Sequence, residues 1–214
     1  MKPTLRYEKT LWKQGLAHVA GIDEVGRGAL AGPVFVSAVI FPSKLPKIRE
    51  LSDIRDSKLI SAKKRERLVP IIKSTALDWA YGKATVSEIN HTGIVKATLM
   101  AMRRAVKALK QVDFVLVDAF HIPYLSGISR KKQLAVKKGD ERCFTIAAAS
   151  ILAKVHRDKL MVKLGKRYPP YRLERHKGYG TLLHRQAIMK FGPQHFHRKT
   201  FIRKFLSYDT IHES

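Results

Sequence analysis

Gly21–Pro33 reads GIDEVGRGALAGP: two adjacent acids, Asp23 and Glu24, directly before a glycine-flanked arginine, Gly26-Arg27-Gly28. Val19–Ile22 has the character of a buried strand that runs out at the acids, and Gly32-Pro33 leads into a second apolar run, Val34–Phe41. Successive side chains on a regular strand point to opposite faces. The two acids therefore serve one site only if the backbone breaks regularity or one residue contributes its carbonyl. The glycines can supply that break, because they tolerate positive φ and let another molecule approach the main chain. Carboxylates beside a glycine-lined cation suit a divalent metal next to a phosphate or sugar. The same residue types also make an ordinary solvated turn.

Beyond this stretch, short apolar runs bounded by glycine and proline predict strands at His18–Glu24, Val34–Phe41 and Leu77–Val86, and FVLVD predicts another at Phe114–Asp118. Val34–Phe41 is apolar almost throughout, as in a strand covered on both faces. Pro3–Gln14 predicts a short helix. Ser61 is placed to cap another through Lys73, with Pro70 expected to kink it or end it early. Val95, Leu99, Met102, Val106 and Leu109 recur at helical spacing and predict an amphipathic helix ending near Val112. A further helix, from Ile146 to about Leu164, opens on the small residues Ala147-Ala148-Ala149-Ser150, suited to close packing on a sheet. His121–Lys138 reads as a basic loop with one short strand, and Leu182–Phe191 as a helix. Alternating strands and helices indicate an α/β domain over 1–168, with Pro169-Pro170 opening a small helical C-terminal extension, 169–214, in the same compact unit.

Composition narrows the partner. The chain has 42 Lys+Arg against 17 Asp+Glu, a net charge of +25, which repels itself in the folded state and calls for a polyanion, nucleic acid first. A single cysteine, Cys143, excludes an intrachain disulfide and cysteine-rich metal ligation. The N-terminal residues lack the apolar segment of a signal peptide and no run is long enough to cross a bilayer, so the expectation is a cytoplasmic protein without membrane contact.

Three sets of acids lie far apart in the chain: Asp23 with Glu24, Asp118 at a strand end, and Asp140 in KKGD. Strand ends are where the loops of an α/β sheet converge. Carboxylates gathered there select hard cations such as Mg²⁺ or Mn²⁺. Taken singly, Asp118 also reads as a strand terminator and Asp140 as part of a turn. The string D-E-x-G-R-G-x-x-A-G-P, the acid of VLVDAF, and KKGD followed by IAAASILAKVHRD together resemble the type 2 ribonucleases H, specifically the ribonuclease HII family. The resemblance runs from about His18 to Phe201. Two departures stand out: Ala119 replaces the usual glycine after the third acid, and Glu141-Arg142 brings a neighbouring acid beside Asp140.

The resemblance implies a ribonuclease H-like fold, a central mixed five-stranded sheet flanked by helices with a helical C-terminal extension. It implies that Asp23, Glu24, Asp118 and Asp140 are catalytic and hold two Mg²⁺ or Mn²⁺ ions. The implied reaction is two-metal phosphodiester hydrolysis leaving a 3′-hydroxyl and a 5′-phosphate. The substrates implied are RNA/DNA hybrids and duplex DNA with an embedded ribonucleotide, cut on its 5′ side by a monomer. Gly26, Arg27 and Gly28 would read the ribonucleotide, and Tyr179 in HKGYGT would lie against the neighbouring deoxyribose. Lys58, Lys154 and Arg157 are the candidate phosphate contacts; the last two share a helical face, and a solvated basic face is the alternative. The tail HFHRKTFIRKF resembles the family's H-R-x-S-F segment, with Thr200 for serine, and His195 and His197 are expected at the surface. A non-catalytic basic nucleic-acid-binding protein is the alternative from another class, since phosphate attraction needs no active site. The related ribonuclease HIII usually carries a larger N-terminal domain and another residue in place of Arg27.

Overall fold

The computed structural model describes residues 2–209; residues 210–214 of the expected extension lie outside the described residues. The elements run α1 (Arg6–Trp12), β1 (Val19–Val25), β2 (Val34–Ile40), α2 (Ala62–Thr75), β3 (Asp78–Ala84), α3 (Val86–Thr92), α4 (Ile94–Lys107), β4 (Phe114–Asp118), β5 (Gln133–Val136), α5 (Gly139–Arg142), α6 (Phe144–Arg167), α7 (Leu173–His176), α8 (Leu182–Phe191) and α9 (Lys199–Asp209). The sheet is mixed and five-stranded, in the order β3-β2-β1-β4-β5. β1–β2 and β2–β3 pair antiparallel, whereas β1–β4 and β4–β5 pair parallel. The chain thus has the mixed five-stranded sheet that the family resemblance implies.

Alternation along the strands sorts the core into layers. Ala20, Ile22, Val36, Ala38, Val115 and Val117 pack with Ala97, Ala101, Met102 and Ala105 of α4 on one face. Val39 and Phe41 meet Leu68 and Ile72 of α2 and the Ala147–Ala149 run of α6 on the other. β2 is buried at every position, as its unbroken apolar run predicts for a strand covered on both faces. Small residues set the spacing of the layers. A Cβ on Gly21 of β1 would lie 2.5 Å from the Thr145 carbonyl carbon and 2.6 Å from the Ile146 nitrogen of α6, so strand and helix backbones are in direct contact. Across the sheet, a Cβ on Gly82 would stand 1.9 Å from the Ala101 carbonyl oxygen.

That second contact shifts the expected face of α4: Met102 and Val106 are buried as the spacing predicts, as is Leu109 beyond the helix end, but the first part of the stripe is not the inward one. Val95 is exposed and Leu99 only half-buried; the inward stripe is Ala97, Thr98, Ala101, Met102, Ala105 and Val106. Alanines outrank larger apolar residues here because only a thin helix face can approach a strand at a glycine. The helix also ends at Lys107 rather than near Val112. α2 runs straight through Pro70 to Thr75. Pro70 and Glu66 are both exposed, so the carbonyl that loses its intrahelical donor faces water and the helix need not break. The polar loop around Leu51–Ile60 contains two 3₁₀ turns, Arg49–Asp53 and Ser57–Leu59.

α6, at 24 residues, is the central support of the site. Its first turn has no side-chain cap of its own. Glu8 of α1, fully buried, supplies one: its Oε1 accepts from the Thr145 amide at 2.9 Å, the Thr145 hydroxyl at 2.5 Å and the Cys143 thiol at 3.2 Å. A carboxylate at a helix N-terminus satisfies orphan N–H groups and complements the macrodipole. Cys143 is buried, and that burial holds its thiol well above the usual thiol range. Beyond Pro169, Tyr171, Leu173, Ala187, Ile188, Phe196 and Ile202 form a cluster with Ala31 and Met161. This C-terminal segment therefore packs on the glycine-rich loop after β1 and on the distal half of α6.

Candidate active site

At the C-terminal ends of β1 and β4, Asp23, Glu24, Asp118 and Asp140 line one pocket of about 420 Å³ with Val25, Ser57, Lys58, Ser150, Lys154 and Tyr179. The three distant sets of acids are thus brought together. The means differs from the expected backbone break. β1 stays paired with β2 through Val25, but its pairing with β4 stops at Ile22↔Val117. Beyond that point the β4 side of the strand is open, and both acids reach the same space from a regular backbone. The Asp23 Oδ1 accepts from the Glu24 amide at 2.8 Å, which turns its carboxylate along the strand.

Asp118 stands at the end of β4, where Ala119 takes φ 65°. Ala119 therefore makes the left-handed turn for which glycine is better suited, and the carboxylate keeps its place. Asp118 Oδ1 accepts from the Gly139 amide at 2.7 Å, joining it to α5, which carries Asp140. A Cβ on Gly139 would stand 2.6 Å from the tip of the Ile146 side chain and 3.4 Å from the Asp118 Cα, so a larger residue here must displace Ile146. Glu141 pairs instead with Lys138 at 3.3 Å and is not part of the pocket lining.

Electrostatics in this pocket oppose four full negative charges. Burial, then Glu24, raises the Asp23 carboxyl well above the usual carboxylate range. Burial raises Glu24 despite the opposing pull of Arg27, and burial raises Asp118 despite its hydrogen bond from Gly139. Cations answer them. Arg27 lies 3.3 Å from Glu24 and its guanidinium sits 5.4 Å from the centre of the Phe120 ring. Lys58 reaches Asp140 at 3.3 Å, and although burial pulls its ammonium down, Asp140 and Asp56 outweigh that and raise it.

Among the described residues no three His, Cys, Asp or Glu side chains stand as a ready metal cage. The donor set nevertheless suits a hard cation: it is all oxygen, and the buried Glu24 Oε2 has no hydrogen-bond partner. Residues that could hold an ion are therefore Asp23, Glu24, Asp118 and Asp140.

The two glycines beside Arg27 have different work. Gly26 has φ 91°, and a Cβ there would fall 2.2 Å from the Arg157 Nε, so the protein itself requires glycine. Gly28 is exposed, and a Cβ there would meet nothing within 4 Å. No contact within the protein therefore requires glycine at this position. Tyr179, half-buried, lies across the pocket with the Lys154 ammonium 5.7 Å from its ring centre. Lys154 also pairs with Asp158 at 2.9 Å.

Arg157 does not stand where a phosphate contact would. It is fully buried, and its three guanidinium nitrogens donate to the carbonyls of Pro33, Lys177 and Ala31 at 3.2, 2.9 and 3.1 Å. His197 is likewise buried, not at the surface, whereas His195 is exposed. The Gln194 amide donates to His197 Nδ1, so His197 Nε2–H donates to His184 Nε2 at 3.2 Å, and His184 Nδ1–H donates to the Tyr179 carbonyl at 3.0 Å. Sequence reasoning missed His184, Arg198, Phe120 and Ser150. Only Ser150 had a usable signal, its spacing of four from Lys154 on one helix face. Its hydroxyl bonds that of Ser57 at 2.9 Å and fixes the Lys58 turn against α6.

A profile of the Ribonuclease HII family matches residues 20–204. The Ribonuclease HII of Syntrophotalea carbinolica is 46% identical over 94% of each chain. That of Caldanaerobacter subterraneus subsp. tengcongensis is 43% identical over 94% of this chain and 80% of its own. Among solved structures, the ribonuclease H2 of Pyrococcus horikoshii superposes with a TM-score of 0.69 at 25% identity, over 87% of this chain and 95% of that one. Bst-RNase HIII, solved in complex with Mn²⁺, gives a TM-score of 0.71 at 21% identity, over 90% of this chain and 70% of that one.

Proposed function

Because the chain belongs to the ribonuclease HII family, and so is an endonuclease of the ribonuclease H type acting on RNA/DNA hybrids, we propose that it uses Mg²⁺ or Mn²⁺ and also cuts duplex DNA on the 5′ side of an embedded ribonucleotide, leaving a 3′-hydroxyl and a 5′-phosphate. The alternative of a non-catalytic basic binder gives way to family membership. The single observation that carries the reading is the meeting of four carboxylates, from three separate parts of the chain, in a pocket that also holds Tyr179. A protein that only binds nucleic acid gains nothing from acids where a phosphate must sit. Mn²⁺ bound to the structural relative Bst-RNase HIII supports the choice of a hard divalent ion.

Asp23, Glu24, Asp118 and Asp140 would hold the ions, and the raised protonation of three of them is what cation binding would reverse. When bound, such ions supply Lewis acidity at the scissile phosphate and offset charge on the leaving oxygen. The protein's own groups do the positioning. The main chain of Gly26-Arg27-Gly28, open at Gly28, would sense a 2′-hydroxyl, the group that separates RNA from DNA. Tyr179 offers a ring face to the neighbouring sugar. Lys58 and Lys154 carry positive charge at the pocket rim for the flanking phosphates, Lys58 with a side chain 77% exposed.

The test is incubation of a duplex bearing one ribonucleotide with Mg²⁺, with Mn²⁺ and with chelator. The reading requires metal-dependent nicking 5′ of the ribonucleotide. Cutting in chelator, or on its 3′ side, overturns it.

A further inference from the structure

Arg157 and Arg198 are the two largest fully buried side chains among the described residues. Each is a guanidinium surrounded by main-chain carbonyls rather than by a carboxylate. Arg157 rises from α6 beneath the glycine loop and donates to Ala31, Pro33 and Lys177. Arg198 enters from the C-terminal segment and donates to Gly32 at 2.9 and 2.8 Å and to Arg27 at 2.8 Å. Arg157 also lies 5.3 Å from the centre of the Tyr179 ring. Burial lowers both guanidinium pKa values, that of Arg198 to about 9.

These two side chains tie three segments that already touch by backbone. Leu30 and Ala31 donate their amides to Gly178, Gly32 donates to Phe196, and Arg198 donates its amide to Leu30. Ala29 bridges Tyr179, and Ala31 bridges His197. Loop 26–33 and the tyrosine loop 177–180 are therefore held against each other by 196–198 and by the two guanidinium groups. Gly26 is glycine because Arg157 occupies its Cβ position.

We infer that Arg157 and Arg198 are positioning residues that set the Gly26-Arg27-Gly28 loop in register with Tyr179, and that Arg157 makes no phosphate contact. The inference rests on the proposal that these two loops recognise the ribonucleotide. A guanidinium presents donors in a fixed planar fork, and an ammonium cannot span three fixed carbonyls in its place. Arg157→Lys therefore keeps the charge and loses the register. A phosphate contact behaves in the opposite way: lysine substitutes for it, and removing the charge lowers the salt slope of binding by about 1.

The experiment compares wild type with Arg157→Lys, Arg157→Gln and Arg198→Lys. It measures the salt dependence of binding to an all-DNA duplex without metal, and kcat and KM for a duplex with one ribonucleotide. Expected are salt slopes equal to wild type in all variants and a kcat lowered about tenfold or more with KM little changed, with Arg157→Lys no better than Arg157→Gln. A slope reduced by about 1 in Arg157→Gln and restored in Arg157→Lys overturns the inference. Should a variant not fold, the Arg157 Nε–H resonance of the wild-type protein decides: it stays in place when all-DNA duplex is added, whereas a phosphate contact shifts it. A wild-type enzyme that ignores the single ribonucleotide counts against the recognition reading instead, leaving slope and resonance to judge Arg157.

Discussion

Replacing Gly21 by alanine tests whether close packing of α6 on β1 is what places the acids. The added Cβ would stand 2.5 Å from the Thr145 carbonyl carbon, 2.6 Å from the Ile146 nitrogen and 2.7 Å from the Thr145 Cβ. Ordinary van der Waals contact between carbons begins near ~3.5 Å. Strand and helix must therefore separate by about 1 Å, and the obstructing atoms are backbone held by the Glu8 cap, so no side chain can swing aside. Overpacking of this kind costs about 1–3 kcal/mol, or roughly 2–12 °C in melting temperature for a chain of this length. The functional effect follows from Asp23, which lies two residues along β1 on the same face. A displacement near 1 Å at a reacting centre can lower turnover by about a hundredfold. Calorimetry and single-turnover cutting of an RNA/DNA hybrid measure the two effects, and kcat should fall further than the stability loss alone explains. An alanine variant with wild-type melting temperature and rate would refute the contact as drawn.

Other expectations follow from the same geometry. Glu8→Ala leaves the Thr145 amide and hydroxyl without their acceptor in the core, and should destabilise by about 1–3 kcal/mol in denaturant unfolding, with cutting by the remaining folded protein little changed. Burial first, then each one's histidine neighbour, lowers His184 and His197 to about 4. Both are neutral in the folded protein, while the unfolded chain takes up protons below about pH 6.5. Stability contributed by their neutrality is therefore complete above that pH and lost as pH falls toward 4, by as much as ~3 kcal/mol per histidine; melting curves from pH 8 to pH 4 measure it, and substituting His197→Gln should flatten the fall. Binding to all-DNA duplex should weaken steeply with salt, by about 10³–10⁵ between roughly 50 and 200 mM if some six to ten phosphates are neutralised; fluorescence anisotropy in a salt series reads the slope.

Much of this architecture is legible in the sequence because its signals are local. β2 is announced by an unbroken apolar run, β4 by FVLVD and α6 by its alanine run, and strand ends then bring Asp23, Asp118 and Asp140 to one side of the sheet. The misreadings share a cause, which is that the deciding contact is tertiary. Arg157 looks like any helix-surface cation until Ala31, Pro33 and Lys177 turn their carbonyls toward it. His197 lies in a basic tail, and only the buried partner His184 shows it to be internal. Val95 and Leu99 extend a convincing apolar stripe, yet Gly82 in the facing strand lies directly against the backbone of Ala101 and Ala105 and turns them inward instead. The carboxylates share a site without a backbone break because β4 stops pairing one residue before them, a matter of register that Gly21–Pro33 alone does not encode.

The most direct test of the hydrolytic centre is the double variant Asp23→Asn/Asp118→Asn, assayed for cutting, for Mn²⁺ binding by calorimetry and for affinity to all-DNA duplex. Cutting at background level, loss of Mn²⁺ binding and duplex affinity near that of wild type are the predicted results. A double variant that cuts at the wild-type rate would contradict the account, because the four acids would then share a pocket without sharing the chemistry.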